Sequence, residues 1–324
     1  MSAHCTVVIP TKNAMPFFTS VLEMVLAQKT QWKYDVIVID SGSKDGTTEF
    51  VRDYHSDVRL IEIASEEFGH GRTRNLGIKA SNSQFIAFLT HDAMPSNEDW
   101  LANLVSAMEA DENIAGCFGR HVAHEFASPF TKRDLDLLFK SFLKHPLVLS
   151  KDIDQKKYHT DIRWQQLLHF YSDNNSIMRR SVWERIPYPD VEFAEDQLWA
   201  KAIIDAGYSK AYAPDAIVSH SHDYNPLEQF RRAFDESSNF KRYFGYRLSP
   251  SFVKTVLSSS KAAALAFYES VDENAYGKVT LLHRARRSIT RAMLAHGYFW
   301  GTHYEKLPAL INRHLSQDKR LFRA

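Results

Sequence analysis

The first hundred residues switch between two hydrophobic periods. CTVVIP at 5–10 and YDVIVID at 34–40 are short, β-branched, nearly continuous apolar runs bounded by Pro and by Ser-Gly. That is the pattern of strands buried on both faces. Between them Phe18, Val21, Leu22, Val25 and Leu26 recur at helical spacing, predicting a helix over 15–28. After SGSKDG a helix is predicted over 47–54, with Asp45 or Thr47 as its cap. VRLIEI at 58–63 and QFIAFLT at 84–90 predict two more strands, separated by a helix over 72–80. Trp100, Leu101, Leu104, Val105 and Met108 then share one face of a helix that Ser96 or Asn97 can cap.

Strand–helix alternation implies βαβ units: a Rossmann-like α/β fold whose mostly parallel sheet is sandwiched by helices. Ligands of such sheets gather beyond the carboxyl ends of the strands, where PTKN, DSGS and THD all fall. Residues 115–180 are less regular. An amphipathic helix is predicted over 193–208, ended by Gly207, and a strand over 211–224 runs into a histidine-rich turn. Beyond Pro226 helical patterns replace the alternation. The expectation is a catalytic domain over 1–225 and a helical C-terminal region over 226–324.

Composition changes this picture in two places. With 44% hydrophobic and 24% charged residues among 324, the chain has a globular composition, and its formal charge of +1 argues against a general nucleic-acid binder. The charge is uneven, however. Residues 276–324 carry ten Lys/Arg against two acids, a net +8, leaving −7 for the remainder. With Tyr298, Phe299 and Trp300 nearby, this predicts docking of 276–324 on anionic lipid headgroups, the rival expectation being self-association. The two cysteines, Cys5 and Cys117, form no CxxC pair and fit a reducing compartment. The stretch MSAHCTVVIP lacks a signal peptide's basic region, and no apolar run reaches the roughly 18 residues of a membrane span. The expected location is cytoplasmic, peripheral on the inner face of the plasma membrane.

The candidate chemistry lies at the strand ends. FLTHDAMP finishes a buried strand on a carboxylate, Asp92. An isolated Asp there is usually a cap, but VSHSH brings His220 and His222 to the end of a later strand, on one shared face. One carboxylate and one imidazole suit a divalent cation bound mainly through its substrate, Mg2+ or, given the imidazole, Mn2+. Either histidine could serve. In DSGSKDGT, Asp40 can accept from a base imide and the turn can donate backbone N–H groups. No GxGxxG follows a strand and no GxxxxGK[ST] occurs, which disfavours a dinucleotide dehydrogenase or a P-loop enzyme. Arg72 and Arg74, beside Asn75 at a helix start, predict a diphosphate clamp. Glu195 and Asp196 open another helix, a common place for acids, where a functional carboxylate would act as general base. An Asp near its reference pKa of about 3.9 would already be ionised at neutral pH. Trp199, one turn on, is expected to form an apolar or sugar-stacking wall.

Taken together, VVIPTKN, VIDSGSKDGT, FGHGRTRNLG, FLTHDAMP, AEDQLWA and AIVSHSH make residues 5–224 resemble the family 2 inverting glycosyltransferases of GT-A fold. More narrowly, the chain resembles bacterial rhamnosyltransferases that use dTDP-β-L-rhamnose. The resemblance implies that Pro10, Thr11 and Asp40 hold the base and Arg74 the diphosphate. It places Asn13, Ser43, Gly71, Asn75, Thr90 and Asp92 in the same nucleotide-sugar site. It makes Asp92 and His220 the ligands of Mg2+ or Mn2+, Asp196 the catalytic base, and Glu195, Trp199 and Asn175 the acceptor or sugar pocket. The implied acceptor is a glycan or lipid-linked glycan of a bacterial surface polysaccharide. Two departures stand out: Thr90 replaces the first Asp of the family's usual Asp-x-Asp, and Lys12 stands where many relatives place an aromatic. The rival readings are a different nucleotide-hexose donor, a nucleotidylyltransferase, and an inactive GT-A domain used for assembly or carbohydrate binding. PTKNAMPFF is not the Gly-rich basic loop of a nucleotidylyltransferase, and retention of Asp92 and Asp196 speaks against an inactive domain.

Overall fold

The computed structural model describes residues 3–54 and 56–318, in two compact units. The first unit, 1–124 with 135–220, holds a nine-stranded sheet. Its strands are β1 (Cys5–Thr11), β2 (Tyr34–Asp40), β3 (Arg59–Glu62), β4 (Phe85–Leu89), β5 (Met94–Pro95), β6 (Ile114–Val122), β7 (Val148–Leu149), β8 (Asn175–Arg179) and β9 (Ser209–Ser219). They lie in the order β3-β2-β1-β4-β8-β6-β9-β5, with β7 paired to β9. The alternating segment supplies the parallel half: β1 pairs in parallel with β2 and β4, and β2 with β3. Strand β8 runs antiparallel between β4 and β6, so the sheet is mixed.

The apolar runs are buried on both faces. Val7, Ile9 and Val38 join Phe18, Leu22, Trp100 and Leu104 in one core cluster. Val8, Ile37, Ile39 and Phe88 join Phe118, Trp199 and Ile203 in the other. Successive positions of one strand thus feed opposite layers, the physical content of a sheet covered on both sides.

Helix ends differ from the sequence reading where a backbone turn intervenes. The first helix is Phe17–Leu26, beginning after Pro16. Trp100–Glu109 starts from Asp99 with no side-chain cap, while Asn97 Oδ1 accepts from the Asp99 amide at 3.1 Å instead of capping the helix. The helix Glu195–Asp205 begins two residues after 193 because Ala194 adopts a left-handed φ of 58°.

The second unit comprises 125–134 and 221–324. It therefore begins at Ser221 and recruits an earlier segment, where the sequence suggested one break near 225. Ion pairs hold that segment: Arg133 meets Glu269 at 2.7 Å and Asp134 meets Arg287 at 2.7 Å. The main helices are Pro226–Phe244, Phe252–Phe267 and Leu281–Thr302. A capping box of Asn225 and Glu228 starts the first, and Gly245 at φ 73° ends it. Pro226–Phe244 and Leu281–Thr302 approach closely. A Cβ on Gly297 or Gly301 would come within 2.4 Å of the Phe230 or Phe234 carbonyl oxygen. Lys319, Arg320 and Arg323, part of the basic excess, lie outside the described residues. Among the described residues no helix is long and apolar enough to cross a membrane.

Candidate active site

Strand directions gather the chemistry at one edge of the first unit. Thr11 pairs with Asp40, so β1 and β2 end side by side. Leu89 of β4 pairs with Asn175 of antiparallel β8, so Thr90–Asp92 leave the sheet where Asp173 enters it. Met94 of β5 pairs with Ser219 of β9, which turns Asp92 toward His220.

The β1–β2 edge is a closed hydrogen-bonded turn. Asp40, 1% exposed, accepts from the Gly42 and Ser43 amides at 2.9 and 2.8 Å on Oδ1. Its Oδ2 accepts from the hydroxyls of Thr11 at 3.0 Å and Ser43 at 2.5 Å. A carboxylate offers about four acceptor positions, and all are taken by this turn. Asn13, at a left-handed φ of 48°, donates its amide to Ser43 Oγ at 2.7 Å and accepts from the Lys44 amide at 2.9 Å. Strained backbone of this kind persists only where surrounding bonds hold it. Pro10 lies beside Ile39 in the β1–β2 ladder, one residue before this turn.

The second cluster is Asp92 with His220, whose Oδ1 and Nε2 lie 3.6 Å apart. A third group, His121, escaped the sequence reading. Its ring meets that of His220 edge-on at 5.4 Å and stacks on Phe139 at 4.7 Å. Burial, then the neighbouring His220, push its pKa well below the usual value and keep it neutral at pH 7. Two residues before Asp92, the buried Thr90 Oγ1 has no hydrogen-bond partner. His222 falls past the boundary, in the second unit, where it stacks on Tyr224 at 5.4 Å.

The third cluster is a buried charge network. Arg74 does not face outward as a helix-start arginine should. Its Nη1 donates to Glu195 at 2.7 Å and its Nε stands 3.2 Å from Asp173. Burial opposes its charge, but the Asp173 and Glu195 carboxylates outweigh that and raise its pKa. Asp173 also accepts from Ser176 Oγ at 2.7 Å and the Tyr188 hydroxyl at 2.8 Å. Asp196 borders this network. Its Oδ1 accepts from the Gln197 amide at 2.7 Å and its Oδ2 lies 3.4 Å from the Asp173 amide. Burial, then Glu195 and Asp173, raise its pKa well above the ordinary carboxylate value. The expectation of an unperturbed Asp196 is therefore corrected: like charges in a desolvated site favour its protonated form.

Several residues expected at the site make structural contacts. Asn75 Oδ1 accepts from Trp183 Nε1 at 2.7 Å, and its Nδ2 donates to the Tyr188 carbonyl at 3.0 Å. Gly71 is needed for close packing, since a Cβ there would lie 2.3 Å from the Pro189 carbonyl oxygen. Asn175 is fully buried, bonded to Trp100 Nε1 at 2.8 Å and to the Ala216 carbonyl at 2.8 Å. Trp199 is also fully buried, against Tyr171 and Tyr188, so it offers no stacking wall. Glu195 is committed to Arg74, and the exposed Arg72 pairs with Asp190 at 3.0 Å. Asp173 carried no sequence signal, because only the antiparallel placement of β8 brings it beside Arg74.

Comparison with known proteins places this architecture. A mannosyltransferase from Pyrobaculum calidifontis, solved with GDP-Man and Mn2+, superposes with a TM-score of 0.55 at 18% identity, over 99% of this chain and 85% of that one. S. aureus TarS 1–349 superposes at 0.52 with 15% identity, over 93% and 91%. These neighbours share the GT-A glycosyltransferase fold. Residues 6–186 match the family described as Glycosyl transferase family 2, and the chain belongs to that family. The O-antigen chain rhamnosyltransferase RfbN of Salmonella typhimurium is 32% identical over 97% of this chain and 94% of its own length. WbaN of Salmonella anatum, also an O-antigen chain rhamnosyltransferase, is 29% identical over the same shares.

Proposed function

We propose that the chain is an inverting rhamnosyltransferase moving L-rhamnose from dTDP-β-L-rhamnose to a hydroxyl of a glycan or lipid-linked glycan in O-antigen synthesis. The observation that carries the sugar and the polymer is the end-to-end similarity to RfbN, 32% over 97% of this chain. A cytoplasmic location goes with this reading.

Asp196 acts as general base. As the acceptor oxygen bonds to the anomeric carbon, its proton passes to Asp196. The bond from that carbon to the diphosphate breaks on the opposite side, so configuration inverts. The raised pKa of Asp196 makes it a stronger base once ionised. Arg74 acts through the Glu195–Asp205 helix, holding Glu195 and thereby the position of its neighbour Asp196. It is a positioning residue, not a diphosphate clamp.

The donor set of Asp92 and His220, one carboxylate oxygen and one imidazole nitrogen, fits a divalent cation, Mg2+ or Mn2+. The unpartnered Thr90 hydroxyl at the same strand tip supports a ligand there. The cation supplies positive charge against the leaving diphosphate when bound. His121, held neutral, backs the His220 ring, and His222 offers a further imidazole two residues along the chain. At the base pocket, rotation of the Ser43 hydroxyl away from Asp40 Oδ2 frees an acceptor for a base imide.

The test is a thermal-shift panel of nucleotide sugars with and without Mg2+ or Mn2+. Selective stabilisation by dTDP-rhamnose is expected. A preference for UDP-glucose or GDP-mannose overturns the donor assignment. Asp92→Ala should lose the cation-dependent part of the shift, and a shift unaffected by chelator removes the metal.

A further inference from the structure

The second unit buries Phe230, Phe234, Tyr246 and Phe299 but leaves one apolar stripe facing outward. The helix Phe252–Phe267 buries Thr255, Ser259 and Ala266. Its opposite face presents Val253, Leu257 and Ala264, continued by Tyr268 at the helix end. These follow the spacing i, i+4, i+11, i+15 of one helical stripe. Val253, Leu257 and Tyr268 are 66%, 68% and 82% exposed. A helix at a water surface shows the reverse arrangement.

Charge flanks the stripe. Lys254 and Lys261, seven residues apart and both exposed, line one side, and the helix contains no acid. The helix Leu281–Thr302 runs antiparallel beside it, with Ser288 Oγ donating to the Ala263 carbonyl at 2.7 Å and Arg284 to the Phe267 carbonyl at 3.1 Å. That pairing puts the exposed Leu281 and Leu282 at the Tyr268 end of the stripe.

We infer that this face is a docking surface for an anionic lipid bilayer. Acyl chains complement the apolar stripe and acidic headgroups the flanking lysines, the arrangement of a helix lying in a membrane interface. A second copy fits poorly: an isologous contact brings Lys254 and Lys261 of the two copies together with no acid on the helix to pair them. The surface lies on Phe252–Phe267 with Leu281 and Leu282 of the expected segment 276–324, and not around Tyr298 and Phe299. Phe299 is buried, and Tyr298 donates to Glu236 at 3.2 Å. The inference is independent of the sugar transferred.

The test is co-sedimentation of the full chain with phosphatidylcholine vesicles, with and without phosphatidylglycerol. Binding to the anionic vesicles alone is expected. The double variant Lys254→Gln/Lys261→Gln should lower the partition coefficient about thirtyfold, from the worth of two lysines near an acidic surface. Leu257→Ser/Tyr268→Ser should lower it at least about tenfold. Both variants should keep wild-type circular dichroism and melting temperature, and dTDP-rhamnose binding, since every changed side chain faces solvent. Equal binding to neutral vesicles overturns the proposal, as does wild-type binding by both variants. A dimer in sedimentation velocity that Leu257→Ser/Tyr268→Ser dissociates overturns it in favour of a second copy.

Discussion

The two units solve the burial problem in opposite ways. Both hydrophobic core clusters found among the described residues belong to the first unit, where Trp100, Trp199, Phe88 and Phe118 fill the layers on either side of the sheet. That unit then places ionisable groups in its interior at one edge: Arg74, Asp173, Glu195 and His121. The second unit buries Phe230, Phe234 and Phe299 and adds small and polar contacts between its helices. Gly297 and Gly301 face carbonyls, Ser237 bonds the Tyr298 carbonyl at 2.8 Å, and Asp235, Ser238 and Asn239 are buried. Its Val253, Leu257, Leu282 and Tyr268 point outward. A large apolar core can hold buried charge in fixed geometry, which suits chemistry. A bundle that leaves an apolar stripe outside suits a surface that will cover it.

This contrast can be broken by experiment. The largest effect belongs to the buried acid at the first unit's edge. Asp196→Asn should lower kcat by about 10²–10⁴-fold, the usual worth of a general base, while donor binding measured by calorimetry stays. Near-normal turnover would remove the base assignment. Next comes Arg74→Met, which leaves Asp173 and Glu195 facing each other without their cation. Breaking a buried ion network in this way should cost about 3–5 kcal/mol in urea unfolding. A loss under about 1 kcal/mol would mean that the network does not carry the fold. In the second unit, Gly301→Ala forces a Cβ toward the Phe234 carbonyl and should cost about 1–3 kcal/mol, read as a lower melting temperature.

A smaller and pH-dependent effect follows from Asp196. Its folded pKa lies above its unfolded value of 3.8, so the native state holds the proton more tightly. The stabilisation is complete below the unfolded pKa and is lost as pH rises through the folded one. Thermal melts should therefore show Asp196→Asn gaining on the wild type as pH rises to 8, and converging with it toward pH 4. Activity of the wild type should rise over the same window, as the base ionises. The smallest effect is Leu257→Ser, which should shift stability by no more than about 0.5 kcal/mol because its side chain already faces solvent.

The strands and helices of residues 5–110 were legible because burial on one or two faces leaves a period in the chain. The pairing of Asp92 with His220 was legible for a related reason: both follow strands, and strand ends collect at one edge. The internal bonding and packing of Asn75, Asn175 and Trp199 was not legible, because residue type and spacing do not reveal whether a side chain's bonds are already satisfied by the fold. Thr90 and Asp173 make the same point from the other side, one an unpartnered hydroxyl and the other a hub that no motif marked.

The amino-acid order alone determined that a covered sheet would present polar turns at its carboxyl ends, since side-chain alternation is a local property of the backbone. Only the tertiary structure decided that Arg74 is an interior counter-ion, that Asp196 is driven toward protonation, and that the second unit turns one helix's apolar stripe outward. Those outcomes depend on distance and local dielectric, which segments a hundred residues apart set together.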